Sequence, residues 1–162
     1  MIIGIISDTH NRLQRTTDAV NILKSLEVGA ILHCGDLTGT NIVKTISDSA
    51  IPSYFVYGNN DDPSELKPGI KALGGIDLGY SGILNLGDRK IGMTHGDRPG
   101  LMQKLAAEEP DYLFFGHSHL ATDFYQGTIR FINPGALHRA PKWTFATLDL
   151  ATDQLTWHEL NE

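Results

Sequence analysis

Residues 1–57 alternate short β-branched apolar runs with stretches of helical periodicity, and that alternation restricts the fold more than any other feature of the chain. Residues 2–7 form a continuous run rich in Ile, whose length and branching read as a buried strand. Residues 12–26 carry Leu13, Ala19, Val20, Ile22, Leu23 and Leu26 at roughly helical spacing, and Gly29 follows as a stop. Residues 30–34 read as a second buried strand, 38–47 as a short helix, and 53–57 as a third strand after Pro52. Such a β-α-β-α-β opening predicts a largely parallel sheet covered by helices. Ligands of these sheets bind beyond the carboxyl ends of the strands.

The remainder is mostly β. Residues 76–80, 82–86 and 90–94 read as short strands, with a hairpin turn at Leu86-Gly87-Asp88-Arg89. A helix is expected over 101–108, ended by Pro110, and a buried strand over 112–115. Further strands are expected over 122–125, 128–132, 144–149 and 155–159. The sum is an α/β chain: a four-layer αββα sandwich of two mixed β-sheets flanked by helices. At 162 residues, one domain spanning 1–162 is expected, with no internal repeat and no linker.

Composition narrows the partners. The net charge is -6 with only 13 Lys and Arg, so a basic groove is not expected and nucleic acid is an unlikely ligand. Cys34 is the one cysteine, which rules out an internal disulfide and fits a reducing compartment. The apolar start reaches Ser7-Asp8 too early for a signal peptide, and no stretch approaches the roughly 20 apolar residues of a membrane span. A cytoplasmic protein with no membrane partner is the expectation. Small size and apolar positions in the β-rich half fit a homo-dimer or homo-tetramer.

Polar clusters stand where the strands should end: Asp8-Thr9-His10, Gly35-Asp36, Gly58-Asn59-Asn60-Asp61, His95-Gly96 and Gly116-His117-Ser118-His119. Asp8 and His10, like His117 and His119, are one residue apart, which on an extended chain puts both side chains on one side. Taken singly, an Asp after a strand is a turn or cap residue. As an ordered set they contain three Asp, two Asn and four His, of which two Asp, one Asn and four His are the candidate ligands. These are donors for Mn, Fe, Zn, Ni or Co, and without a Cys cluster they are not a structural zinc finger. Two metals sharing one carboxylate are the equipment for hydrolysing phosphate esters.

The same segments resemble the Asp-x-His, Gly-Asp, Gly-Asn-x-Asp/Glu, Gly-His and Gly-His-x-His motifs of the calcineurin-like metallophosphoesterase superfamily. More closely, the chain is similar to the small YfcE-type phosphodiesterases and, by fold, to the Vps29-type retromer subunit. The resemblance implies that Asp8, His10, Asp36 and His119 hold one divalent ion and that Asp36, Asn59, His95 and His117 hold another, with Asp36 as the bridge. It implies two divalent ions, Mn2+ foremost, with Fe, Zn, Ni, Co or Mg as others. It also implies an ester hydrolase that acts on a small phosphoester, a diester rather than a monoester, through a hydroxide shared by the metals. Asp61 is expected to orient a ligand. Two other readings are a Vps29-like protein-interaction scaffold, which would tolerate the loss of ligands, and a nuclease, for which the chain offers little room or positive charge.

Two departures bear on catalysis. Many members carry His where this chain has Asn60, which can donate a hydrogen bond to phosphate but is no general acid at neutral pH. Many also carry His where this chain has Asp97. A preference for activated leaving groups such as aryl esters is expected, unless His138 or His33 supplies the proton. Arg139 is a candidate for a second phosphate or a carboxylate, Cys34 is expected to be a small buried hydrophobe, and His158 is given no role.

Overall fold

The computed structural model describes residues 1–161. One sheet runs, in spatial order, β11 (Gln154–Leu160), β10 (Trp143–Asp149), β1 (Ile2–Ile6), β2 (Ala30–His33), β3 (Ser53–Phe55) and β4 (Ile76–Asp77). Strands β1 to β4 are parallel neighbours, while β10 pairs antiparallel with β1 and with β11. The other sheet runs β5 (Ser81–Leu86), β6 (Arg89–Thr94), β7 (Tyr112–Phe114), β9 (Ile129–Pro134) and β8 (Ala121–Gln126). Its three inner strands are parallel and its two edge strands antiparallel. Both sheets are therefore mixed, as expected.

Alternation along the strands builds the layers. Ile3 and Ile5 of β1 point into the space between the sheets, where they meet a core containing Leu32, Ile91, Met93 and Phe114. Each such fully buried side chain contributes about 1.5–3 kcal/mol relative to exposure. Ile6 faces the other way, into a second core with helices α1 (Leu13–Ser25), α2 (Thr40–Ser47) and α3 (Pro63–Ala72). Gly4 shares that outer face. A Cβ there would stand 2.6 Å from Leu23 Cδ1, so only glycine lets α1 lie this close to the sheet. On the far side, α4 (Pro99–Ala107) packs Leu105 against Leu113 and Phe131. The result is helix, sheet, sheet, helix. Cys34 lies in the central core, and burial pushes its thiol well above the ordinary range. Among the described residues no helix is long and apolar enough to cross a membrane.

Two differences from the sequence reading have clear causes. Residues 63–72 form the helix α3, which periodicity missed because Pro68 and Gly69 interrupt it. The signal that could have found it is local. Asp62 caps the helix by accepting the Ser64 N–H at 2.9 Å, Pro63 occupies the first turn, and Glu65 adds an acid there. The second difference is that several strands stop one or two residues short of their expected ends. Two or three residues beyond β1, β2 and β7, at Asp8, Gly35 and His117, φ is positive, which no strand allows. The hairpin at Gly87 is as expected, with Leu86 paired to Arg89 and a positive φ of 56° at Gly87.

Candidate metal centre

The loops after β1, β2, β3, β6 and β7 all open at one end of the sandwich, and each carries one of the polar clusters. Their convergence does not come from an extended chain. Asp8 and His10 have φ of 52° and 41°, and His117 and His119 have φ of 68° and 59°. These pairs meet because their backbones curl through the left-handed region, which corrects the one-side-of-a-strand expectation. Asp36 shares the conformation, with φ of 57°. Each non-glycine residue held there costs on the order of 1 kcal/mol, and such strain collects at functional sites.

Glycine admits the close approaches. A Cβ at Gly58 would lie 2.0 Å from Asp36 Oδ1, and one at Gly116 would lie 2.6 Å from Asp8 Oδ2. Both carboxylates are pressed against backbone that must be bare.

The carboxylates are fixed from behind. Asp8 Oδ2 accepts the Ser7 hydroxyl at 2.6 Å and the His117 N–H at 3.1 Å. Its Oδ1 faces the other side, 3.1 Å from His119 Nε2, 3.8 Å from His95 Nε2 and 3.9 Å from His10 Nε2. Asp36 Oδ1 accepts the Asn60 N–H at 2.9 Å. Asp36 Oδ2 accepts Asn60 Nδ2 at 2.8 Å and lies 3.2 Å from His10 Nε2 and 3.4 Å from His95 Nε2. One carboxylate oxygen thus stands between the two imidazoles.

The imidazoles are oriented in the same manner. His95 Nδ1 donates to the Cys34 carbonyl at 2.8 Å and His119 Nδ1 to the Arg139 carbonyl at 3.1 Å. With the proton on Nδ1, each neutral ring turns the Nε2 lone pair towards the carboxylates. Lone pairs facing carboxylate oxygens repel unless positive charge lies between them. Three buried atoms here, Asp8 Oδ1, His10 Nε2 and His95 Nε2, have no hydrogen-bond partner among the described residues. Buried polar atoms are nearly always satisfied, so this convergence is a candidate cation site.

The protonation equilibria carry the same message. Burial pushes the Asp36 carboxyl up, but His10, His95 and the Asn60 N–H outweigh it and hold it well below the usual carboxylate range. Burial pulls His95 down, but Asp36 and Asp8 prevail and raise it to about 9.

Two ligand-capable groups emerge, Asp8 with His10 and His119, and Asp8 with Asp36 and His95. Asn59 and His117 adjoin the second. Asn59 Oδ1 lies 3.1 Å from His117 Nδ1, and the His117 ring is 5.2 Å from that of His95. Five of the seven residues expected as ligands thus fall in these two groups, and Asn59 and His117 lie beside them. Their donor set of carboxylate, amide and imidazole fits a divalent ion of the Mn–Zn series.

The model of the calcineurin-like phosphoesterase superfamily domain matches residues 1–153. The chain belongs to that superfamily. Phosphodiesterase MJ0936 of Methanocaldococcus jannaschii is 28% identical over 143 residues, which cover 83% of each chain. The probable metallophosphoesterase YsnB of Bacillus subtilis is 32% identical, with 96% of this chain and 88% of the relative covered. A solved archaeal phosphodiesterase superposes with a TM-score of 0.90 at 26% identity, covering 99% of this chain and all of that one. The ester-hydrolase class expected from the motifs is the class of the superfamily.

Around this phosphoesterase site the other candidates divide. The Asp61 carboxylate is spent on backbone, accepting N–H groups of Gly58 and Asp36 at 2.8 Å and of Thr38 at 2.7 Å. It clamps the Asp36 loop to the Asn59 loop and does not itself enter the cluster. His33 lies fully buried behind it, with Nδ1 accepting the Gly35 N–H at 3.2 Å and Nε2 at 3.0 Å from Thr9 Oγ1. Burial holds it down at about 3, so it is a neutral structural residue and no proton source. His138 lies beside His10, with ring centroids 4.6 Å apart. Burial, followed by the neighbouring His10 and Arg12, lowers it to about 4.

Sequence reasoning missed three positioning residues. Ser7 was visible only as a neighbour of Asp8. Asn133 donates to the Gly116 carbonyl and to Ser118 Oγ, both at 3.0 Å, and so fixes the His117 loop. Arg12 donates through Nε to His138 Nδ1 at 3.1 Å. The last two contacts join segments far apart in the chain, and no local signal marks them.

Proposed function

We propose that the chain is a metal-dependent phosphoesterase that cleaves a small phosphodiester in preference to a monoester. The observation that carries this reading is the set of buried, partnerless atoms on Asp8, His10 and His95, turned towards one another beside Asp36 and His119. Asp8, His10, Asp36 and His119 would hold one divalent ion and Asp36, Asn59, His95 and His117 a second. The bridging role of Asp36 is supported by its Oδ2, which stands between His10 and His95. Mn2+ is the first candidate. When bound, such ions supply an activated water at neutral pH and neutralise charge building on the phosphoryl oxygens.

The residues of the chain do the rest. Asn60 and Asp61 hold the Asp36 carboxylate and its loop in place, and the Nδ1 contacts of His95 and His119 keep their Nε2 atoms aimed inward. The preference for a diester is supported by the phosphodiesterase names of the archaeal relatives. The test is hydrolysis of bis-nitrophenyl phosphate with added Mn2+, repeated after chelation and with Asp36→Ala. Turnover that needs the metal and vanishes in the variant is expected. No turnover with Mn2+, or an Asp36→Ala protein as active as the parent, would sink the reading.

A further inference from the structure

His138 stands beside the cluster, packed on His10, without the chemistry of a proton donor. Its ring is largely buried and tilted against His10. Nδ1 accepts the Nε–H of Arg12 at 3.1 Å, so Nδ1 carries no proton. The neutral ring must then carry its hydrogen on Nε2. Among the described residues Nε2 makes no hydrogen bond, and it is not among the buried unpartnered atoms, so it reaches solvent at the mouth of the cluster.

Arg12 is well placed to enforce this. It stands two residues after His10 and opens α1. Its own N–H donates to the Thr9 carbonyl at 2.8 Å, and its carbonyl accepts the N–H of Thr16 at 3.0 Å and the Thr16 hydroxyl at 2.9 Å. The backbone that carries the guanidinium is therefore anchored while the side chain extends across to the loop after β9. The segment that supplies His10 to the cluster also fixes the imidazole next to it.

We infer that Arg12 is a positioning residue that locks His138 as its Nε2–H tautomer, so that His138 offers the phosphoester a fixed hydrogen bond rather than a proton. The hydrogen bond would go to a phosphoester oxygen. The N–H of a neutral imidazole is too weak an acid to protonate a leaving group at neutral pH. The role of His138 on substrate rests on the phosphoesterase reading; its tautomer does not.

Nitrogen-15 NMR of the full chain, metal-free and with diamagnetic Zn2+, reads the tautomer directly. At pH 7–8 His138 should show an unprotonated Nδ1 and a protonated Nε2. An Nδ1–H or mixed ring in the parent overturns the inference. Arg12→Met, which keeps the aliphatic stem, should give a mixed ring, with Arg12→Lys between the two. An unchanged Nε2–H ring in Arg12→Met removes Arg12 from the role. Circular dichroism checks that each variant is folded. On bis-nitrophenyl phosphate, His138→Ala should lose about 10–100-fold in kcat/KM, the worth of one hydrogen bond to a charged group, and His138→Gln should recover most of it. A Gln variant as impaired as Ala overturns the donor role. If no variant and no parent hydrolyses the ester, the functional reading has failed while the NMR result still decides the tautomer.

Discussion

The Asp61 carboxylate accepts the backbone N–H of Asp36 at 2.8 Å, and so holds the residue between the two imidazoles without touching either of them. The same carboxylate takes the N–H groups of Gly58 and Thr38. Asp61→Asn replaces one acceptor oxygen with an NH2 group that faces donors. Leaving buried N–H groups unpaired costs about 1–3 kcal/mol. The variant should melt lower than the parent and bind Mn2+ about 10–100-fold more weakly, as loss of a ligand-orienting partner does. Thermal melts and equilibrium dialysis measure the two effects. Parent-like affinity would mean that the clamp does not shape the site.

Divalent cations should stabilise the fold through the same residues. The partnerless atoms of Asp8, His10 and His95 are a cost to the metal-free protein that a cation removes. At a hundredfold excess over its Kd, a ligand specific to the folded state adds about 2.7 kcal/mol. Mn2+ or Zn2+ should therefore raise Tm by several degrees in the parent and not in Asp36→Ala. An equal rise in both would place the bound ion elsewhere.

The stability of the metal-free protein should peak near pH 6.5. His95 is raised to about 9, so the stability tied to its proton is fully present below 6.5 and lost as pH rises through 9. His33 and His138, lowered to about 3 and 4, act in the opposite sense. Between those values and 6.5 the unfolded chain binds protons that the folded chain refuses, so stability falls as pH falls. Urea midpoints from pH 4 to 9.5 trace both arms. Saturating Zn2+ should abolish the alkaline arm by taking the place of the His95 proton. A flat profile from pH 7 to 9 without metal would show that His95 is not held by the carboxylates.

Much of this was legible in the chain because it is local. The Ile-rich run of β1 and the buried β2 declare a parallel sheet, and the Asp, Asn and His residues stand directly at the strand ends. What stayed hidden depends on contacts between distant segments. The left-handed turns at Asp8, His10, His117 and His119 fall on residues other than glycine, so the usual sequence signal for that region is missing. Asn133 and Arg12 act across more than a dozen residues of chain, to Gly116 and His138, and carry no motif. Helix α3 was hidden by Pro68 even though its Asp62-Pro63 start was in plain view.

Leaving-group dependence is where this chain should differ most from relatives with an imidazole at position 60. Asn60 directs Nδ2 at Asp36 Oδ2 and has no proton to give. His33 is buried, and His138 accepts from Arg12 in the form that cannot act as an acid. The leaving oxygen should therefore depart without protonation from the chain, and kcat should fall steeply as its conjugate acid weakens. Nitrophenyl diesters should turn over far faster than alkyl diesters. Asn60→His should raise the rate on alkyl esters more than on aryl esters, by up to about 100-fold, the lower end of what general acid catalysis contributes. A series of diesters graded in leaving-group pKa measures the slope. A flat slope in the parent would mean that some residue of the chain does deliver the proton, and a parallel slope in Asn60→His would mean that position 60 cannot.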